Sequence, residues 1–190
     1  MNHTKILFKG YFDPAPLADV IASIRTEQIT AVFDGDDETH DGYDFVFICN
    51  KAKNTFEIID AGNLHTAKIK IENQSIEDAI SILLTAMYGE TYVGIDWKDM
   101  YLALFDEQEA ALFIGGISEN ELFGLKDKYK NTKGAFLHIT MPINATLEFA
   151  DEVTRRFADC LHPDADFAWT LTFKENLTEN VFDLFIRKND

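Results

Sequence analysis

Two aspartates stand three residues apart in VGIDWKDMYLAL (93–104), where a loop turns into an apolar helix. Asp96 falls at the predicted helix start, where a carboxylate can accept a hydrogen bond from a free backbone N–H of the first turn. Asp99 falls within that turn, where negative charge suits the helix dipole. The same two carboxylates are also suited to a phosphate or a metal ion that another molecule supplies. The residues alone leave both interpretations open.

A second acidic group lies in DGDDETHDGYD (34–44), and hard cations such as calcium prefer oxygen ligands of this kind. Its members are Asp34, Asp36, Asp37, Glu38, His40, Asp41 and Asp44. The spacing is not that of a calcium loop, because aligning Gly42 with the invariant glycine puts Ile48 where the bidentate acid should be. We therefore predict a solvated hairpin turn and no metal site.

No complete catalytic set is evident in the chain. The sequence contains no GxSxG, no HExxH and no glycine-rich phosphate loop of either common type. None of the five histidines falls at metal-ligand spacing, and His138 lies on a predicted buried strand, where a core histidine is favoured over a catalytic one. Enzymatic activity is therefore left open but disfavoured, and no cofactor of the chain's own is predicted.

The charge balance restricts the partners. The formal net charge is −16, from 33 acids and 17 bases, which disfavours the basic surface that nucleic-acid phosphates or anionic lipids require. The longest nearly uncharged apolar run, around 110–117, is too short to cross a bilayer, so we expect no direct membrane insertion. With no secretion signal at the N-terminus and only Cys49 and Cys160 as cysteines, we predict a soluble, cytoplasmic protein.

Hydrophobic periodicity predicts an α/β (α+β) fold in three parts. Residues 1–74 form an N-terminal α/β module that ends in a hairpin with AGN as its turn. Residues 75–108 form a helical connector, in which Ser75 opens a helix that ends at Gly89. Residues 109–190 have the order β-α-β-α-β-β, in which Gly115–Gly116 end the first strand and the last two strands form an antiparallel pair. The two modules share a weak β-α-β-β echo, which is also expected from common supersecondary units.

Several collinear motifs of residues 75–188 carry a family resemblance. They are Ser-Ile-x-Asp-Ala at 75–79, Asp-aromatic-x-Asp at 96–99, ALFIGGI at 111–117, the Lys-Gly strand to Ile-Thr at 133–140 and the Pro-Asp-Ala turn at 163–165. With these motifs the chain resembles the central helix and C-terminal domain of the bacterial cell-division FtsZ family, of the tubulin superfamily.

The resemblance implies a role for the acidic loop. In that family the loop enters the nucleotide pocket of the next subunit, and its carboxylates help to activate the water that attacks GTP. Carried over by position, Asp96 and Asp99 would be those carboxylates, and Gly94, Trp97 and Lys98 would contact the neighbouring subunit. Gly94 replaces the family's asparagine.

The upstream half departs from the family. The family's Gly-Gly-Gly-Thr-Gly-Thr-Gly loop is absent, and its nearest remnant, GYFDPAPLADVIAS (10–23), carries Asp13 where phosphate would bind. Residues 1–74 are then a shortened nucleotide-domain remnant or a degenerate copy of the C-terminal module. The resemblance implies an FtsZ/tubulin-like protein without its own GTP site, which contacts an FtsZ-like partner or itself in filament assembly or its regulation. GTP would be present only where a partner subunit supplies it.

The alternative is a small-molecule-binding protein or enzyme built on the same α/β domain. Its site would lie at the strand ends near Gly115–Gly116 and Thr140–Asn144, or at a subunit interface.

Overall fold

The computed structural model describes residues 4–24, 29–33, 42–63, 65–105 and 110–187. Within them one mixed sheet has the strand order β2-β1-β3-β4-β5-β6-β9-β7-β8, so the α/β class is confirmed. The strands are β1 (Thr4–Tyr11), β2 (Ile29–Phe33), β3 (Phe45–Asn50), β4 (Thr55–Asp60), β5 (His65–Ile71), β6 (Ala110–Ile117), β7 (Gly134–Pro142), β8 (Asp166–Lys174) and β9 (Val181–Arg187). The helices are α1 (Pro14–Ser23), α2 (Ile76–Tyr88), α3 (Trp97–Leu104), α4 (Glu119–Gly124), α5 (Lys126–Tyr129) and α6 (Leu147–Ala158).

The N-terminal elements agree closely with the periodicity. Strand β1 pairs in parallel with both β2 and β3, as a β-α-β crossover requires. Strands β4 and β5 form the predicted antiparallel hairpin. Its turn is held by the Asp60 carboxylate, which accepts hydrogen bonds from the backbone N–H groups of Gly62 and Asn63 at 3.0 and 3.2 Å. Most of the acidic stretch, residues 34–41, lies outside the described residues.

The predicted pairing of the last two strands is wrong. Strand β7 lies between them, parallel to β8 and antiparallel to β9, and β9 also pairs with β6. The β7–α6–β8 crossover makes β7 and β8 parallel neighbours, so β9 fills the position between β6 and β7. The β-α-β echo therefore holds for β1–α1–β2 and β7–α6–β8, but the third strand is parallel in the first case and antiparallel in the second.

The two parts of the sheet join at β5 and β6, which pair in parallel from Lys68–Ala110 to Ile71–Phe113. The sheet also curls strongly. Trp97 stacks on Phe45 of β3, while Val93 pairs with Leu171 on β8, six strands away in the sheet order. One core cluster contains residues from both ends of the sheet, among them Phe47 on β3 and Ala168 on β8. The sheet therefore wraps around the helices on its inner face.

That inner face packs against α1, α2 and α3. Helix α2 begins with a full capping box between Ser75 and Asp78, and Gly89 is its C-cap, both as predicted. Its buried stripe includes Ile80, Leu83 and Leu84, which lie in one core with strand residues such as Phe47, Phe113 and Phe136.

The outer face packs against α4, α5 and α6. The apolar stripe of α6 is buried at Ala150, Val153 and Phe157, but Leu147 is 42% exposed. The segment ENELFGLKDKYK forms two short helices that break at Leu125. Of the helices in the described ranges, none is long and apolar enough to cross a membrane.

Candidate functional site

The two aspartates of the acidic loop form a capping box at the start of α3. Asp96 Oδ1 accepts the backbone N–H of Asp99 at 3.0 Å, and Asp99 Oδ2 accepts the backbone N–H of Asp96 at 3.3 Å. This arrangement satisfies two N–H groups that a helix start otherwise leaves without partners. Both side chains are exposed, and the box uses one oxygen of each carboxylate. The capping interpretation thus accounts for the pair without any ligand.

The segment before this cap is fixed to the edge of the sheet. The backbone N–H of Tyr92 donates to the Leu171 carbonyl at 2.7 Å, and the Leu171 N–H donates to the Val93 carbonyl at 3.2 Å. The Thr170 hydroxyl also donates to the Val93 carbonyl. These bonds hold exposed Gly94 and the α3 cap in place beside β8.

Trp97 and Lys98 differ in their surroundings. The Trp97 ring stacks on Phe45 with centroids 3.5 Å apart, and its indole N–H donates to the Tyr88 hydroxyl at 2.5 Å. Trp97 is therefore half-buried and part of the packing between α3 and the sheet, while Lys98 is exposed. Both line an open hollow of about 380 Å³, together with Phe45, Asp60, Asn63, His65, Tyr101 and Phe105.

The turn between β1 and α1 already carries negative charge. Asp13 caps α1, and its Oδ1 accepts the Ala15 N–H at 3.0 Å. The Asp13 N–H in turn donates to Glu77 Oε1 at 2.6 Å. Helix N-termini attract anions, and here two carboxylates from the chain itself occupy that position.

A second cavity, of about 310 Å³, lies at the strand ends. The C-terminal halves of β6, β7 and β8 and the start of β9 meet there, and α2 forms the opposite wall. In the sheet register, Thr170, His138 and Asp183 form one row across β8, β7 and β9, and Thr172 and Thr140 lie in the next row. The polar lining comprises Gln74, Asp78, Ser81, Thr85, His138, Thr140, Thr172, Lys174 and Asp183.

Some of these polar groups are satisfied within the protein. Asp183 Oδ1 accepts the Gly116 N–H at 2.8 Å, and His138 Nε2 lies 3.1 Å from the Thr140 hydroxyl. Gly116 has φ +66°, and β6 is irregular between Ile114 and Ile117. The prediction that the glycine pair ends this strand is thus wrong, because the strand continues to Ile117 through a bulge.

Two lining atoms lack any hydrogen-bond partner among the described residues, His138 Nδ1 and Thr172 Oγ1. His138 is 4% exposed and Asp183 is 5% exposed. Burial, with a smaller contribution from Lys174, lowers the pKa of His138 to about 4. Burial raises the pKa of Asp183 to about 6, against the opposing hydrogen bond from Gly116. At neutral pH the cavity therefore holds a neutral imidazole beside a buried carboxylate.

The sequence indicated part of this cavity. The strand-end alternative names Gly116 and Thr140, and both line it. His138 is on a buried strand as predicted, but Asp183 was missed. The available signal was a single polar residue inside an otherwise apolar strand, as in GAFLHITM and VFDLFIR. In the described parts of the chain, no group of three or more His, Cys, Asp or Glu side chains is placed to hold a metal ion.

Comparison with known proteins gives similarity to solved structures only. No family model and no curated protein matches the chain. An FtsZ dimer from M. jannaschii is 22% identical over 60% of this chain and 36% of its own, with a TM-score of 0.46. The W319Y mutant of M. jannaschii FtsZ is 20% identical over 60% of this chain and 38% of its own, with a TM-score of 0.49. The matched region thus spans little more than a third of those chains.

Proposed function

We propose that the protein is an FtsZ/tubulin-like assembly factor that does not bind GTP itself and acts through protein–protein contacts, with an FtsZ-type protein or with a second copy of itself. The acidic loop would meet the partner, with Gly94, Trp97 and Lys98 in the contact. Asp96 and Asp99 would act only on a nucleotide held by that partner. The motifs of residues 75–188 suggest this function.

The observation that carries the proposal is the geometry of the loop. Its exposed carboxylates lie on a helix cap that backbone hydrogen bonds fix to the edge strand β8. A fixed, exposed loop can enter a partner's pocket with little loss of conformational entropy. The two carboxylates at the β1–α1 turn further support a chain that leaves nucleotide binding to its partner.

The test is co-sedimentation and GTP turnover of an FtsZ-type protein with and without this chain. Two double variants separate chemistry from capping. Asp96→Asn/Asp99→Asn keeps oxygen acceptors for the box but removes the negative charge, whereas Asp96→Ala/Asp99→Ala removes both. If the carboxylates act on a partner's nucleotide, the wild-type chain raises turnover and both variants lose the effect.

The two double variants and a third substitution distinguish the other outcomes. If the Asn variant behaves as wild type while the Ala variant is destabilised, the pair serves only as a helix cap. Lys98→Ala leaves the cap intact and tests the contact with the partner. If Lys98 is part of that contact, the variant should co-sediment less than wild type. If the wild-type chain changes neither polymer mass nor turnover, and sedimentation velocity shows no self-association, the proposed function is wrong.

A further inference from the structure

The strand-end cavity has the features of a built ligand site. It is lined from six elements, β6 to β9 together with α1 and α2, so the fold and not a single loop shapes it. Its volume of about 310 Å³ corresponds to roughly ten water molecules in the liquid. In α/β sheets, ligands bind outside the carboxyl ends of the strands, and this cavity lies at the carboxyl ends of β6, β7 and β8.

The unpaired polar atoms indicate that a ligand completes the cavity. A buried polar atom without a hydrogen-bond partner destabilises the folded state, and His138 Nδ1 and Thr172 Oγ1 both lack a partner within the described chain. Thr140 occupies the other nitrogen of the imidazole, so Nδ1 is the nitrogen of His138 without a partner. Both atoms are enclosed but belong to side chains that line the cavity, so a small side-chain rotation would let an occupant supply their missing hydrogen bonds.

The charges around the cavity define the class of ligand. Asp183 is buried, and no cation in the described chain lies within ion-pair distance of it; Asp78 on α2 adds a second carboxylate to the lining. Lys174 at the exposed end of β8 supplies one positive charge. Lys174 is close enough to Asp183 and His138 to influence both electrostatically. Two negative groups and one positive group therefore line a cavity with room for about ten non-hydrogen atoms.

We propose that this cavity binds a small zwitterion of the amino-acid type, with its ammonium group on Asp183 and its carboxylate on Lys174. His138 Nδ1 and the Thr172 hydroxyl hydrogen-bond to the remaining polar atoms of the ligand. A buried carboxylate with a charged partner is stabilised, whereas one without a partner is not. This site is independent of the acidic loop and of any filament partner.

The experiment uses the full chain with the twenty standard amino acids at millimolar concentration, in thermal unfolding followed by calorimetric titration. For each amino acid that binds, the N-acetyl form removes the ammonium group and the amide removes the carboxylate. We expect at least one free amino acid to raise the Tm saturably. Its N-acetyl form should bind roughly tenfold to a hundredfold more weakly, the effect of losing one hydrogen bond to a charged group.

Variants assign the contacts. Asp183→Asn retains an acceptor for the Gly116 N–H. It should bind both the free amino acid and its amide roughly tenfold to a hundredfold more weakly than wild type does. Lys174→Met should weaken binding of the free amino acid but not of the amide. Thr172→Val should reduce affinity several-fold without changing the fold. Asp127→Asn, at an exposed ion pair on α5, is the matched control and should bind as wild type.

The proposal is overturned if no amino acid raises the Tm, if N-acetyl forms bind as well as free ones, or if Asp183→Asn binds unchanged. The proposal is also wrong if neutral polyols stabilise the protein and amino acids do not. The ¹⁵N resonance of His138 Nδ1 provides an independent readout, because it should shift when the ligand binds. In the Thr172→Val variant the same shift should require several-fold more ligand.

Discussion

Buried His138 and Asp183 face each other across β7 and β9 and have opposite pKa shifts. The folded protein disfavours the charged form of each, because burial removes both groups from water. Between about pH 4 and 6, folding takes up a proton at Asp183 and releases one at His138. The two contributions to the pH dependence of stability therefore nearly cancel in the wild-type chain.

Asp183→Asn should remove the contribution of Asp183 to the pH dependence of stability and leave that of His138. The pKa of Asp183 is raised from 3.8 to about 6 on folding, so its contribution to stability is full below pH 3.8 and is lost as the pH rises to about 6. The side chain of the variant does not titrate. Its free energy of unfolding relative to that of wild type should therefore rise by about 2 to 3 kcal/mol as the pH increases across that window. Urea unfolding of both proteins at a series of pH values measures the difference.

The complementary variant His138→Gln controls this prediction. The pKa of His138 falls from 6.5 to about 4 on folding, so its contribution is full above pH 6.5 and is lost as the pH falls to about 4. The stability of the variant relative to wild type should thus rise on acidification, opposite to that of Asp183→Asn. Parallel pH profiles for all three proteins would show that neither group is buried as described.

Helix caps and close backbone contacts fix the elements around α3. The Asp96–Asp99 box orients the N-terminus of the helix, and Gly134 lets β7 approach the backbone of its C-terminal turn. A Cβ at Gly134 would lie 2.1 Å from the Ala103 carbonyl oxygen. The position of α3, and with it that of the acidic loop, depends on both ends of the helix.

Asp96→Ala should lower the free energy of unfolding by about 1 kcal/mol, because it removes the N-cap acceptor. Asp96→Asn retains an acceptor oxygen and should cost only a few tenths of a kcal/mol. Chemical denaturation of the two variants checks this difference. Equal stability of the Ala and Asn variants would show that the box does not form in solution.

Gly134→Ala should destabilise the protein by about 1–3 kcal/mol, because the added methyl group forces α3 away from β7. The control is Gly124→Ala, since a Cβ there would meet no atom within 4 Å; this change should be neutral or slightly stabilising. Thermal unfolding measures both, and an unchanged Tm for Gly134→Ala would contradict the close approach of β7 and α3.

At the scale of the whole molecule, the continuous sheet links the predicted N-terminal and C-terminal modules. Their junction is the parallel pairing of β5 with β6, and one core contains residues of both parts, such as Phe47 and Phe136. A shared sheet and a shared core favour one cooperative unit. The division at 74 and 108 remains a prediction about the chain's origin and organisation.

The two tryptophans allow cooperativity to be measured. Trp97 stacks on Phe45 of the N-terminal part, and Trp169 lies on β8 of the C-terminal part. Trp169→Phe and Trp97→Phe therefore give one fluorescent reporter for each part. We expect each reporter's denaturation curve to coincide with the circular dichroism curve of the same variant. Two separate transitions would instead indicate independently folding modules.

The sequence by itself determined the elements with local signals. The Ser75 and Asp96 caps, the Gly89 C-cap and the β4–β5 hairpin arise from residues a few positions apart, so their patterns could be predicted directly. The α/β class followed from the alternation of these elements. An isolated polar residue in an apolar strand drew attention to His138; the same signal was available for Asp183, which was missed, and it does not show that the two are neighbours.

The tertiary structure alone decided which strands pair and which side chains meet. Strand β9 lies between β6 and β7. This position depends on packing between segments that are far apart in the sequence, and no local pattern encodes it. That insertion places Asp183 opposite His138, and α2 lies across them as the opposite wall of the cavity. The site exists because distant segments share one buried face, and burial is a property of the folded chain.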